Sequence, residues 1–330
     1  MDPNLGRRKC LAVLGGVLVW PLAARAQRPA IPVIGYLSAG TSDGDTPYVT
    51  GLRRGLDEGG YAEGRNVEIL FRFADERFDR LPMLASDLVR RRVALIVASG
   101  TAPALAAKTA TTIIPIVFET VDDPVAIALV AQFNRPGGNI TGTSLMVEAY
   151  YAKGVELLYE LLPHAGSIAL LINPTNTVTA GVATAETANA AGARGLRLAI
   201  LKASDPGEFE QAFKAVAEEG IGALLVSSDR FFAGHWDRIA ALALRYRVPW
   251  IERTQQAAQA GALITYGASI IEAHRIVGNY AARILKGEKP ADLPVQRATK
   301  IELVINLKTA KRLGLTVPLT LFARATEVIE

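Results

Sequence analysis

The stretch VALIVASGTAPALAAK, residues 93–108, runs apolar as far as Ala98, breaks at Ser99-Gly100-Thr101 and continues with helical character. A strand that turns directly into a helix is the repeating joint of a parallel α/β sheet. The start of such a helix exposes unpaired N–H groups and the positive end of its dipole, a setting that suits an anion. Thr101 acting only as a helix cap, with Pro103 in the first turn, accounts for the same residues. The rest of the chain decides between the two.

Outward from this joint the same alternation repeats. Apolar runs at 31–38 (IPVIGYLS), 66–74 (NVEILFRFA), 93–100 and 114–120 (IPIVFET) read as strands. Helical stretches lie near 46–59, 78–91 and 102–110, the second with Phe78, Leu81, Leu84, Ala85, Leu88 and Val89 on one face. The second half follows the same plan with 167–174, 196–204, 221–229 and 248–253. Val33 with Ile168, Asn66 with Leu196, Val93 with Gly222 and Pro115 with Pro249 are offset by 135, 130, 129 and 134 residues. This near-constant offset predicts an α/β fold of two similar doubly wound, Rossmann-like lobes, each built on a parallel sheet.

NRPGGNITGTSL (134–145) and ALITYGAS (262–269) read as crossings between the lobes, so that the joint is a hinge with several strands of chain. The expected division places 27–142 with 267–290 in the first lobe and 143–266 with 291–330 in the second. A last strand is expected in KIELVIN, 300–306.

The N-terminus reads differently. Arg7, Arg8 and Lys9 precede an apolar stretch from Leu11 to Ala24, and Ala24-Arg25-Ala26 offers a small-x-small cleavage site. The stretch is too short to span a bilayer comfortably. Residues 1–26 therefore read as a secretory leader, with Arg7-Arg8 a hint of twin-arginine export. Its removal takes away Arg7, Arg8, Lys9, Arg25 and Asp2, so the net charge falls from +4 to +1. No long basic run remains, and nucleic acid is not an expected partner. The single cysteine, Cys10, precedes the apolar stretch, so the mature chain holds no disulfide and no thiol nucleophile. Periplasmic localisation follows as an expectation.

Ligands of open α/β sheets bind beyond the carboxyl ends of the strands. The residues placed there are Ser38, Ser99, Gly100, Thr101, Glu119, Thr120, Asp122 and Asp123 in the first half. Asn173, Thr175, Asn176, Ser227, Ser228, Asp229, Glu252, Arg253 and Tyr266 occupy the same place in the second. They are mostly small and polar, and two lobes closing over a cleft would bring both sets onto one ligand. Singly, Asp122 reads as a helix cap and Asn173 as a turn residue. No GxGxxG, GxxxxGK[ST] or GxSxG motif appears. His164, His235 and His274 lie far apart, each on or beside a helix, which favours packing over a metal site or a catalytic triad. Binding without catalysis, cofactor or metal is the expectation.

These stretches, together with WPLAARAQ, GLDEGGYAEGRNVEI, FDRLPMLASDLVRRRVALIVASG, IPIVFETVDDPV, LVAQFNRPGGNITG, GALLVSSDRFF and YGASIIEAHRIVGNYAARILKGEKPADLPV, carry a resemblance that covers nearly the whole chain. The sequence resembles the substrate-binding proteins of ABC transporters, a family with tryptophan- and tyrosine-binding members and a type I periplasmic binding fold. The resemblance implies a periplasmic receptor, a monomer by default, that delivers a small amino-acid-like or carboxylate solute to an inner-membrane permease. It implies that Ser99, Gly100 and Thr101 meet the ligand carboxylate, that Asp229 and Asp122 meet an amine, and that Ser38, Asn173 and Tyr266 complete a polar ring; Ser227, at the end of its strand, is a further ligand-binding candidate. An aromatic wall is expected among Tyr36, Phe118, Phe231, Phe232 and Tyr266, although Tyr36 and Phe118 sit within apolar strands. A periplasmic sensor that signals to a membrane partner would use the same fold and cleft.

Overall fold

The computed structural model describes residues 31–145, 148–298 and 300–330. The expected leader, residues 1–26, lies outside the described residues, as does Cys10. In the first half, strands β1 (Val33–Ser38), β2 (Glu68–Phe73), β3 (Leu95–Ser99), β4 (Ile116–Thr120) and β5 (Ile140–Ser144) alternate with helices. The helices are α1 (Thr46–Glu58), α2 (Leu81–Arg90) and α3 (Thr101–Ala110). Their strand order is β2-β1-β3-β4-β5, with every neighbouring pair parallel.

The second half repeats the pattern. Helix α4 (Glu148–Leu161) leads to β6 (Ser167–Ile172), α5 (Thr177–Gly192), β7 (Arg197–Lys202), α6 (Glu208–Glu218) and β8 (Ala223–Val226). There follow α7 (Arg230–Ala233), α8 (Trp236–Arg245), β9 (Trp250–Glu252), α9 (Gln255–Ala260) and β10 (Ile264–Ala268). Their order is β10-β9-β8-β6-β7, again parallel throughout. The chain thus forms two α/β lobes on parallel sheets.

After β10 the chain returns to the first lobe as α10 (Ile270–Leu285) and adds β11 (Gln296–Arg297) alongside β5. It then crosses back to the second sheet. There β12 (Ile301–Asn306) lies antiparallel to β10, α11 (Leu307–Leu313) and α12 (Leu319–Phe322) follow, and β13 (Glu327–Ile329) pairs with β12. Residues 291–298, expected in the second lobe with the rest of 291–330, are therefore held by the first: Thr141 Oγ1 donates to Leu293 O at 2.6 Å, and β11 extends the first sheet. Neither crossing segment is a bare linker, because NITGTSL supplies β5 and ALITYGAS supplies β10.

Each sheet is buried on both faces, which is why its central strands read as continuous apolar runs. In the first lobe, Ile34 and Tyr36 point to the α1/α10 side with Leu52, Leu56, Val97 and Val277. Leu37, Ile96 and Phe118 face α2 and α3 with Ala85, Leu88 and Ala104. The second sheet is covered by α4 and α5 on one side, and by α6 and α8 on the other.

The tightest helix contact joins α1 to α10, and glycine makes it possible. A Cβ on Gly55 would stand 2.0 Å from the Arg275 carbonyl oxygen, and one on Gly278 would stand 2.2 Å from that of Leu52. These are backbone atoms, which cannot swing aside. Gly55→Ala is therefore expected to destabilise the protein by about 1–3 kcal/mol, as overpacking does. Gly181→Ala, on α5 with open space around it, should leave stability unchanged or raise it by about 0.4–1 kcal/mol. Denaturant unfolding of the two variants against the parent checks the contrast.

Candidate functional site

The carboxyl ends of both sheets face one another across a cleft. The turn after β3 begins with Gly100, whose φ of 107° is a conformation side-chain-bearing residues rarely adopt. Its neighbour Thr101 donates to Asp122 Oδ2 at 2.6 Å and shares a second hydrogen bond of 2.6 Å with Thr120 Oγ1. Asp122 Oδ2 also accepts from Thr179 Oγ1, on α5 of the second lobe, at 3.1 Å. Its other oxygen, Oδ1, is buried and makes no hydrogen bond among the described residues. Burial pushes the Asp122 carboxyl up, against the pull of the Thr101 and Thr179 hydroxyls.

From the second lobe, Arg230 reaches across. Its Nη2 donates to Ser99 Oγ at 2.6 Å and to Glu119 Oε2 at 3.3 Å. Its Nη1 lies 3.7 Å from Asp45 Oδ1, and its Cζ stands 3.4 Å above the Tyr48 ring. All of these partners belong to the first lobe. The side chains are nearly sequestered, at 12% exposure for Arg230 and 2% for Asp45 and Glu119. A buried pair of this kind adds little net stability, but losing one partner strands the other charge in the interior.

Ser99 is relayed further. His274 on α10 brings Nε2 to 2.9 Å from Ser99 Oγ, while its Nδ1 lies 3.1 Å from the Ile270 carbonyl oxygen. A carbonyl only accepts, so Nδ1 carries the proton and Nε2 accepts from the serine hydroxyl. Ser99 in turn accepts from Arg230. Burial, and then the Arg230 charge, depress the His274 pKa to about 3, so the ring is neutral.

Across the cleft, Asp229 caps α7 by accepting from the Phe231 N–H at 2.9 Å. It also accepts from Asn173 Nδ2 at 3.2 Å and Asn176 Nδ2 at 2.7 Å. Burial raises its pKa against these donors. At the end of β9, Glu252 Oε2 accepts from the Thr254 N–H and hydroxyl, both at 2.6 Å. Burial raises this carboxyl too, with Arg253 the main opposing charge. Arg253 itself donates through Nε to Ser228 Oγ.

Between these groups the lobes enclose a cavity of about 40 Å³. Gly100, Thr101 and Asp229 are among its lining residues. Ser99 and Asp122 lie one hydrogen bond behind the lining, as does Asn173 through Asp229. Ser38 is turned to the Gly40 N–H at 3.0 Å, and Ser227 is buried beyond β8. Neither is among the lining residues. Tyr266 packs against the α4 side of the second lobe instead, because alternate residues of β10 face opposite ways. The expected aromatic wall is also elsewhere. Tyr36, Phe118, Phe231 and Phe232 are fully buried in the cores, and the cavity meets Tyr48, Phe78 and Trp236. The sequence reading missed Arg230, Tyr48, Asp45 and Thr179; for Arg230, its place directly after a strand-end Asp229 was the available signal.

A cavity shared between two parallel-sheet lobes, with hydrogen bonds running across it, defines a two-lobed ligand-binding protein. The family model described as ABC transporter substrate binding protein matches residues 35–329, and the chain belongs to that family. A tyrosine-binding protein of Clostridioides difficile (strain R20291) is 29% identical over 267 residues, 80% of this chain and 76% of that one. The crystal structure of an ABC domain in complex with L-Trp from Streptococcus pneumonia is similar with a TM-score of 0.80 at 25% identity, covering 90% of this chain and 99% of that one. The ligand-free, open structure of a substrate binding protein with adhesive properties from Clostridium difficile gives 0.64 at 27% identity, covering 91% and 99%. At similar identity and coverage, the lower score for the open structure agrees with the closed lobes found here. Among the described residues no helix is long and apolar enough to cross a membrane.

Two outcomes are expected of this arrangement. Arg230→Ala should open the lobes. Opening rehydrates Asp45 and Glu119, and so avoids the loss of about 3–5 kcal/mol that keeping them buried and unpaired would bring. Small-angle scattering should then give a larger radius of gyration than the parent in the same buffer; an unchanged radius would show that other contacts hold the lobes. His274 is neutral when folded but takes up a proton on unfolding below its ordinary pKa of about 6.5. Stability of the parent relative to His274→Gln should therefore fall as pH drops from 6.5 towards about 3. The slope is at most about 1.4 kcal/mol per pH unit, and urea unfolding of both proteins across that range reads it.

Proposed function

We propose that the chain is the extracytoplasmic receptor of an ABC importer. After export and removal of residues 1–26, it would take a small amino-acid-like or carboxylate solute between its lobes and hand it to an inner-membrane permease. The observation that carries this reading is the interlobe cavity, lined from both sheets and crossed by hydrogen bonds from Arg230 and Thr179. Closure that depends on contacts from both sides is what couples ligand capture to a change of shape a permease can read. The relatives supply the ligand class: one is a tyrosine-binding protein and another holds L-Trp. The cavity offers carboxylates, guanidinium groups and the aromatic faces of Tyr48, Phe78 and Trp236 to such a solute. Ser99, Gly100, Thr101, Asp122, Asn173 and Asp229 are read as its near surroundings. The protein works as a monomer, with no cofactor and no chemical step.

A thermal-shift screen tests this reading on the chain from Gln27 onward, denatured and refolded to strip carried-over ligand. The panel holds aromatic and aliphatic amino acids, aromatic carboxylates, short peptides and sugars. A true ligand at 100 times its Kd stabilises the fold by about 2.7 kcal/mol. Stabilisation by an amino acid or carboxylate, recovered unchanged after incubation, is the expected result. Silence across the panel, or conversion of the compound, would overturn it.

A further inference from the structure

The geometry points to Arg253 as the residue that recognises the anionic group of the ligand, with Asp122 receiving the donor group from the opposite lobe. This rests on the receptor reading and adds to it the polarity of the site. The cleft holds two guanidinium groups, and they are not equivalent. Arg230 is neutralised within the protein by Asp45 and Glu119. Arg253 is not. It is 7% exposed and lines the cavity, yet among the described residues it makes a single hydrogen bond, to Ser228, and no ion pair. Among the described residues its Nη1 is buried without a hydrogen-bond partner, as is Nη1 of Arg230, so the ion pairs are what distinguish the two. Glu252, its neighbour in the chain, accepts at Oε2 from the Thr254 N–H and hydroxyl, and its charge acts on Arg253 without forming an ion pair or hydrogen bond among the described residues.

A buried cation with an unbonded N–H is costly unless something neutralises it. A carboxylate entering the cleft supplies that charge, and the planar guanidinium is shaped to receive it. At the expected alternative, the start of α3, the side-chain hydroxyls are already engaged, although the helix start has no side-chain cap. Ser99 already accepts from Arg230, and the Thr101 hydroxyl is committed to Thr120 and Asp122.

The second orphan lies on the other side. Asp122 Oδ1 is buried and unbonded, behind Thr101 and Thr179, both of which line the cavity. To meet a ligand donor, such as an ammonium group or a hydroxyl, it needs these two threonines to move aside, because the carboxylate itself lies behind the lining. Arg253 belongs to the second lobe and Asp122 to the first, so one ligand with an anion at one end and a donor at the other satisfies both only when the lobes are closed. That describes an α-amino acid or an α-hydroxy acid.

The experiment uses sodium acetate as a minimal anion against sodium chloride at equal ionic strength, and L-tyrosine and L-leucine against tyramine and isoamylamine. Thermal shifts and titration calorimetry are read on the parent, Arg253→Met and Arg253→Lys. Met keeps the packing without the charge; Lys keeps the charge without the fork and serves where the Met variant fails to fold. The expected result is acetate-specific stabilisation of the parent and roughly ten- to hundred-fold weaker carboxylate binding in Arg253→Met. Arg253→Lys should fall between the two, and the amines lacking a carboxylate should bind weakly to every form. No acetate-specific effect in the parent, or an equal one in Arg253→Met, overturns the assignment. Amino acids that bind parent and Arg253→Met alike leave the receptor reading standing and sink Arg253. An Arg253-dependent acetate effect with neither amino acid bound does the reverse, keeping the residue and sinking the amino-acid class.

Discussion

The contact between α1 and α10 is the constraint on which the site depends. Backbone meets backbone there because Gly51, Gly55 and Gly278 carry no side chain to hold the helices apart. The chain leaving β10 in the second lobe is thereby drawn back to the first, which makes the joint a multiple crossing rather than a single tether. The same contact sets two side chains beside one another at the mouth of the first lobe. Tyr48 on α1 and His274 on α10 meet edge to ring with centroids 5.1 Å apart. Tyr48 then receives the guanidinium of Arg230, and His274 receives the hydroxyl of Ser99. This helix pair therefore decides what the strand ends can hold.

The relay from Arg230 through Ser99 and His274 to the Ile270 carbonyl runs in one direction, each member donating to the next. A serine hydroxyl has one proton to give, so its gift to His274 leaves its lone pairs for Arg230. A protonated imidazole would donate from both nitrogens and break this order, and it would stand beside the Arg230 cation. Burial and charge thus favour the same neutral ring. Such networks contribute more to specifying one arrangement than to its net stability. Here the arrangement specified is the closed one, because the relay crosses from the second lobe to the first.

Much of this was legible in the sequence. Apolar runs such as LIVAS and IVFET marked their strands because parallel strands covered on both faces have no polar alternation to confuse the reading. The polar residues following them fall at the sheet edge that borders the cleft, because chain direction alone puts them there. Other features were out of reach. Tyr266 was assigned by proximity to a crossing, but a strand turns alternate residues to opposite faces and the register was not visible. Arg230 and Tyr48 act through long side chains from helices, and Asp45 acts from the turn before one, so their roles depend on a lobe angle that no local pattern encodes. The return of residues 291–298 to the first sheet likewise follows from the α1/α10 contact and not from the composition of that segment.

The two cleft arginines divide the work of closure. Arg230 finds its charge partners, Asp45 and Glu119, within the protein, which fixes how the closed lobes meet before any ligand arrives. A ligand shifts the balance between open and closed only by its difference in affinity for the two forms. Groups left unsatisfied in the closed state supply that difference, and in the cleft they include Arg230 Nη1 and Arg253 Nη1 on one lobe and Asp122 Oδ1 on the other. A solute that satisfied only one of them would bind without holding the lobes together. Polarity at both ends of the solute, rather than its size alone, is then what separates capture from mere occupancy.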